Sequence, residues 1–160
     1  MNLAELSCRL EAAGASPANY SLGHRDYNGF CLMQVAGQWA VFFSERGLDQ
    51  PPIFTSPDEA TACQFYFDFT MRMRHQHQVA FLRSAPAAAA VREQLAAHGI
   101  ATTQHQLYYA APDDYRQQVF VEDTGIFAAR RVLGNKLPLT DEAPTTAGSW
   151  WARLRRWLGA

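Results

Sequence analysis

The side chains whose type and spacing could do chemistry fall at a few places in the 160-residue chain. His75-Gln76-His77 sets two imidazoles two residues apart, so a strand starting there would project both from one face, as a metal pair requires. No third ligand is signalled nearby and Arg72 and Arg74 add positive charge, so the segment reads as a solvated helix exit and no metal is expected. Asp113-Asp114 offers paired carboxylates for acid–base work. Its place after Ala111-Pro112 makes a polar turn the better reading. Glu45-Arg46 closes an apolar alternation beside Gly47 and reads as a clamp tying a loop to a sheet, or as an exposed recognition element, because arginine offers planar bidentate contacts. With His24 nearby, the same pair would serve a small hydrolase. The motifs G-x-S-x-G, H-E-x-x-H, G-x-G-x-x-G and the P-loop are absent. The expectation is therefore a chain with no catalytic residues and no cofactor, not an enzyme.

The elements that must position these residues are mostly readable. Asn2 caps a first helix whose Leu3, Leu6, Leu10 and Ala13 repeat at helical spacing and which leaves through Gly14. Strands are predicted at 20–22, 30–35 and 38–44, the last two joined as an antiparallel hairpin by Ala36-Gly37, with a short piece at 53–55. Ser56-Pro57-Asp58-Glu59 reads as a capping box opening an aromatic-rich helix to about Arg74. A second half follows: a strand at 79–82, an Ala-rich helix at 86–98 closed by Gly99, strands at 106–109 and 119–121, and a helix at 126–133 capped by Asp123 or Thr124. The order αβββα-βαββα lacks βαβ alternation and predicts an α+β fold with an antiparallel sheet packed by helices. One domain is expected over 1–134, with possible halves 1–75 and 76–134. A Pro/Thr linker follows at 135–149, then a flexible basic Trp/Arg tail at 150–160.

Fifteen acidic and fourteen basic side chains give a net charge of −1. The balance is uneven: residues 1–148 sum to −4, and Arg153, Arg155 and Arg156 give the last twelve residues +3. A near-neutral total argues against a nucleic-acid partner. Cys8, Cys31 and Cys63 make an odd set without C-x-x-C spacing and are expected as buried thiols. The first fourteen residues do not read as a signal peptide, and no apolar run suits a membrane span, so a cytoplasmic setting is expected. Trp150, Leu154 and Trp157 share a helical side opposite the arginines, an amphipath suited to docking on the acidic body or, as an alternative role, to peripheral membrane contact.

One run is more organised than these local signals require. Tyr20-Ser21-Leu22, Cys31-Leu32, Gly37-x-Trp39-x-Val41-x-x-x-Glu45-Arg46-Gly47 and Phe54-x-Ser56-x-x-Glu59-Ala60-x-x-Cys63 resemble a small domain of the immunity proteins encoded beside polymorphic secreted bacterial toxins. The resemblance spans about residues 3–70, with a weaker echo over 78–133; Phe43 stands where that pattern has tyrosine. It implies a non-catalytic inhibitor that binds a cognate toxin and occludes its active site. The residues expected to meet that partner are Asp26, Tyr27, Glu45, Arg46, Asp49, Asp113, Asp114 and Tyr115, acidic groups for a cationic toxin with tyrosines as anchors.

Overall fold

The computed structural model describes residues 1–109 and 114–141. It has an α+β architecture with two sheets. Helix α1 (Leu3–Ala12) starts as expected: the Asn2 side chain accepts from Glu5 N–H while the Glu5 carboxylate accepts from Asn2 N–H, a reciprocal cap. A single 3₁₀ turn (Pro17–Asn19) leads to β1 (Ser21–Leu22), which lies parallel to β2 (Asn28–Val35). β2 pairs antiparallel with β3 (Gln38–Glu45) through eight registered residues, from Asn28 opposite Glu45 to Val35 opposite Gln38. The turn between them places Ala36 at φ 49° and Gly37 at φ 80°, the left-handed pair that a two-residue hairpin needs to match strand twist. Arg46 and Gly47 repeat that geometry at φ 51° and 80°, folding β4 (Leu48–Asp49) back onto the end of β3. β5 (Phe54–Ser56) pairs with β3 further along.

Leu6 and Leu10 of α1 and Ala62, Cys63 and Tyr66 of α2 (Glu59–Thr70) bury one face of this sheet against Leu32 and Val41. Cys31, Ala40 and Phe42 are buried on the other face. The second sheet has the order β7-β8-β6-β9. Its strands are β6 (Gln76–Leu82), β7 (Thr103–Tyr108), β8 (Tyr115–Glu122) and β9 (Leu139–Thr140). Helices α3 (Ala85–Ala96) and α4 (Gly125–Leu133) pack Ala88, Val91, Leu95, Ile126 and Ala129 onto Val79, Leu82, Val119 and Val121. The two aliphatic–aromatic clusters share no member.

Several expectations are corrected. Asp58, not Ser56, caps α2, because β5 holds Ser56 opposite Trp39 and leaves its hydroxyl to accept from Asp58 N–H. That helix stops at Thr70, short of Arg74. Thr124 makes no side-chain cap bond. The segment expected as linker from 135 contains β9, which pairs parallel with β6, and Asp141 beyond it accepts from the Arg83 and Ser84 amides. Cys8 is exposed, while Cys31 and Cys63 are buried. His75 is not a solvated helix exit: it is 1% exposed and joins the two halves. Its Nδ1 accepts from Ser16 N–H at 3.1 Å and from the Asn19 amide at 3.0 Å. His77 Nε2 donates to the Gly14 carbonyl at 2.9 Å, and Asp123 N–H donates to the His75 carbonyl at 2.8 Å. The junction is thus polar, unlike the clusters it connects.

Candidate functional site

The hairpin register decides which expected residues meet. Asn28, Glu45 and Leu48 lie in one row across β2, β3 and β4, so the loop before β2 and the Arg46-Gly47 turn share one end of the first sheet. Asp26, Tyr27, Glu45, Arg46 and Asp49 all belong to that end. Two strand spacings of about 4.8 Å put Asn28 and Leu48 roughly 10 Å apart, the span of a small contact patch.

The patch is fixed from beneath. Asp26 Oδ1 accepts Tyr27 N–H at 2.6 Å, and its other oxygen lies 2.8 Å from where a Cβ on Gly29 would sit, so a larger residue there would push the Asp26 carboxylate aside. Asp26 N–H donates to the Cys31 sulfur at 3.2 Å. Burial pushes the Cys31 thiol up, keeping it in the protonated, unreactive form. Asp49 takes Arg25 in a fork, Nε at 2.9 and 3.0 Å and Nη2 at 2.8 Å, which ties the loop to β4. Asn28 Oδ1 accepts Arg46 N–H at 3.1 Å and holds the turn. Glu45 and Arg46 side chains have no hydrogen-bond or ion-pair partner among the described residues and are exposed. At the same sheet end two large side chains stand in solvent: Tyr27 is 68% exposed and Leu48 75%. An exposed aromatic and an exposed aliphatic side chain thus share one sheet end with Asp26, Glu45, Arg46 and the Arg25–Asp49 pair, a composition compatible with a protein contact.

Asp114 and Tyr115 lie on the other sheet, and Asp113 lies outside the described residues. Asp114 is not a free turn carboxylate. Arg116 binds it in a fork, Nε to Oδ1 at 3.0 Å and Nη2 to Oδ2 at 3.3 Å, and Arg83 Nε approaches to 3.4 Å. Arg116 is 1% exposed, with its guanidinium 4.9 Å from the Tyr109 ring centre and 5.4 Å from that of Phe81. The Tyr115 ring lies 4.5 Å from that of Tyr108, tilted by 43°, and its hydroxyl donates to the Tyr108 hydroxyl at 2.9 Å. Sequence reasoning missed Leu48 and the buried Arg116. An isolated leucine between a turn and an aspartate was the one available signal for the first; nothing local marks the second.

Among the described residues, surface cavities of about 350 to 620 Å³ lie elsewhere, and these are not lined by Glu45, Arg46 or His24. His24 Nδ1 bonds the Leu22 carbonyl at 2.9 Å. Among the described residues no group of three or more His, Cys, Asp or Glu is placed to hold a metal ion, and no helix is long and apolar enough to cross a membrane. The Trp/Arg tail lies outside the described residues. No family model, curated protein or solved structure matches the chain.

Proposed function

We propose that the chain is a non-catalytic cytoplasmic immunity protein that binds a cognate secreted bacterial toxin and covers its active site. The observation that carries this reading is that Tyr27 and Leu48 both stand exposed at one braced sheet end, which also holds Asp26, Glu45 and Arg46. Two large apolar side chains left in water at the tip of a rigid scaffold cost solvation that a partner surface would recover. The bracing by Arg25–Asp49 and Asn28 means little conformational entropy is lost on docking. Asp26 and Glu45 would steer a cationic partner, as would the net −4 of residues 1–148. The resemblance of the hairpin motif to immunity domains supplies the identity of that partner; the surface supplies the means.

The test is co-expression with the toxin domain encoded beside the gene. A stable complex is expected, and the Tyr27→Ala/Leu48→Ala double variant should bind about 30-fold or more weaker, the loss of roughly 2 kcal/mol typical of a central anchor. Cells equally sensitive to that toxin with and without the protein would refute the reading.

A further inference from the structure

Most sheet edges here are stubs: β1, β4 and β9 have two residues each and β5 three. β7 is different. It runs for six residues, Thr103–Tyr108, and pairs on one side only, with β8, in unbroken register. Tyr109 N–H donates to the Asp114 carbonyl at 2.9 Å, and these two residues continue the register. Antiparallel alternation therefore turns the main-chain groups of Thr103, His105 and Leu107 toward β8 and those of Gln104, Gln106 and Tyr108 outward. Among the described residues nothing bonds to the outward groups. The strand carries no Lys, Arg, Asp, Glu or Pro and no bulge, the devices that normally blunt an exposed edge.

We propose that this edge pairs antiparallel with the same edge of a second copy of the chain, about a two-fold axis at Gln106, joining two four-stranded sheets into one. Self-matching side chains argue for a second copy as the occupant. At one end of β7, Arg92 reaches over from α3, Nη1 to Gln104 Oε1 at 3.0 Å and Nε to Thr102 Oγ1 at 3.4 Å. At the other end stands the Tyr108–Tyr115 pair, with Tyr108 66% exposed. Gln104 and Tyr108 share a sheet face. The two-fold sets Gln104 of each copy opposite Tyr108 of the other, so each Arg92 cation meets a tyrosine face, twice over. Gln106 meets its own counterpart. A primary amide both donates and accepts, so identical neighbours are compatible there, and no like charges are brought together. This contact uses the second sheet and leaves the Tyr27–Leu48 surface clear.

Sedimentation velocity and light scattering on the full chain test it. A concentration-dependent species of twice 17.9 kDa is expected. Gln106→Lys places two ammonium groups across the axis and should weaken self-association by about tenfold or more, with an unchanged circular-dichroism spectrum. Gln106→Glu should do the same, and mixing the two variants should restore the dimer through opposite charges. The proposal is overturned by a wild-type chain that stays monomeric at every concentration. It is equally overturned by a Gln106→Lys chain that associates as tightly as wild type, or by a dimer that forms only after deletion of residues 142–160, which would assign the edge to that segment.

Discussion

The first sheet buries side chains on both faces and is packed with aromatic rings, whereas the second buries a mainly aliphatic cluster under two helices. In the first half Phe30 contacts Phe43 and Phe69 at 5.0 and 4.7 Å, and Phe65 stacks on Phe54 at 4.1 Å. In the second, Ala80, Ala88 and Ala129 let α3 and α4 approach the sheet closely. Large interlocking rings make a half that cannot collapse around a lost side chain; small residues make one that can. The half with the rigid aromatic core carries the Tyr27–Leu48 surface, and the half with the small-residue core carries the long bare edge.

The strongest test of that contrast is Tyr66. It is fully buried, its hydroxyl donates to the Phe30 carbonyl at 2.5 Å and accepts from Ser21 N–H at 3.2 Å, and burial drives the phenol above its usual range. Tyr66→Ala should cost about 3–5 kcal/mol in denaturant unfolding. Val119→Ala, at a site equally buried in the second half, should cost about 2 kcal/mol. Equal losses, although tyrosine removes far more buried surface than valine, would mean that the aromatic half collapses around a lost side chain more readily than the aliphatic one.

The junction should respond next. Gly14 has φ 79°, and a Cβ there would lie 3.0 Å from the Asp123 carbonyl carbon and from the Thr124 nitrogen, both backbone atoms. Gly14→Ala combines left-handed strain of about 1–2 kcal/mol with an overlap that the chain cannot relieve by rotating a side chain. Faster hydrogen exchange at the Ser16 and Asp123 amides than in wild type is expected, with the interiors of both sheets still protected. Uniform loss of protection would show that the halves unfold only together.

His75 makes the same junction sensitive to pH. Burial lowers its pKa from the ordinary 6.5, and Nδ1 must stay unprotonated to accept from Ser16 N–H. In the unfolded chain the imidazole takes its proton near pH 6.5; in the folded chain it does so only at lower pH. Over that interval the unfolded state holds more protons, so stability is full above pH 6.5 and falls as the pH drops toward the folded value. Melting temperature should therefore decline on acidification through pH 6.5, and His75→Ala should flatten that part of the curve. It should also cost about 1–3 kcal/mol at neutral pH by leaving Ser16 N–H without its acceptor. A wild-type curve with the same slope as the variant would remove His75 from the pH response.

What the sequence could show tracks how local the cause is. The first helix, with Asn2, its leucine stripe and Gly14, is written within thirteen consecutive residues. So is the β2–β3 hairpin, whose alternation and Ala36-Gly37 turn fix its register. The meeting of Asp26, Tyr27, Glu45, Arg46 and Asp49 follows from that register, and the sequence named all five. The rest depends on distant partners. His75 is buried by Ser16 and Asn19, nearly sixty residues away in sequence. Leu139 and Thr140 take strand geometry by pairing with β6, and Arg116 is held by Asp114 together with the rings of Phe81 and Tyr109. Ser56 was misread because two local signals compete there, and pairing with Trp39 overrides the cap.

The smallest expected effect on stability falls at the proposed contact surface itself. Tyr27 and Leu48 are mostly in solvent, so removing either takes little from the core, and Tyr27→Ala and Leu48→Ala should each shift unfolding free energy by no more than about 0.5 kcal/mol. A side chain that adds almost nothing to its own fold, yet stands apolar and braced on a rigid sheet end, is retained at a cost in exposed surface. If either substitution instead destabilised by 2 kcal/mol or more, a core substitution's typical loss, the pair would be structural and the first half would have no surface held apart from its packing. Chemical denaturation of the two variants beside Tyr66→Ala, in one series, separates these outcomes.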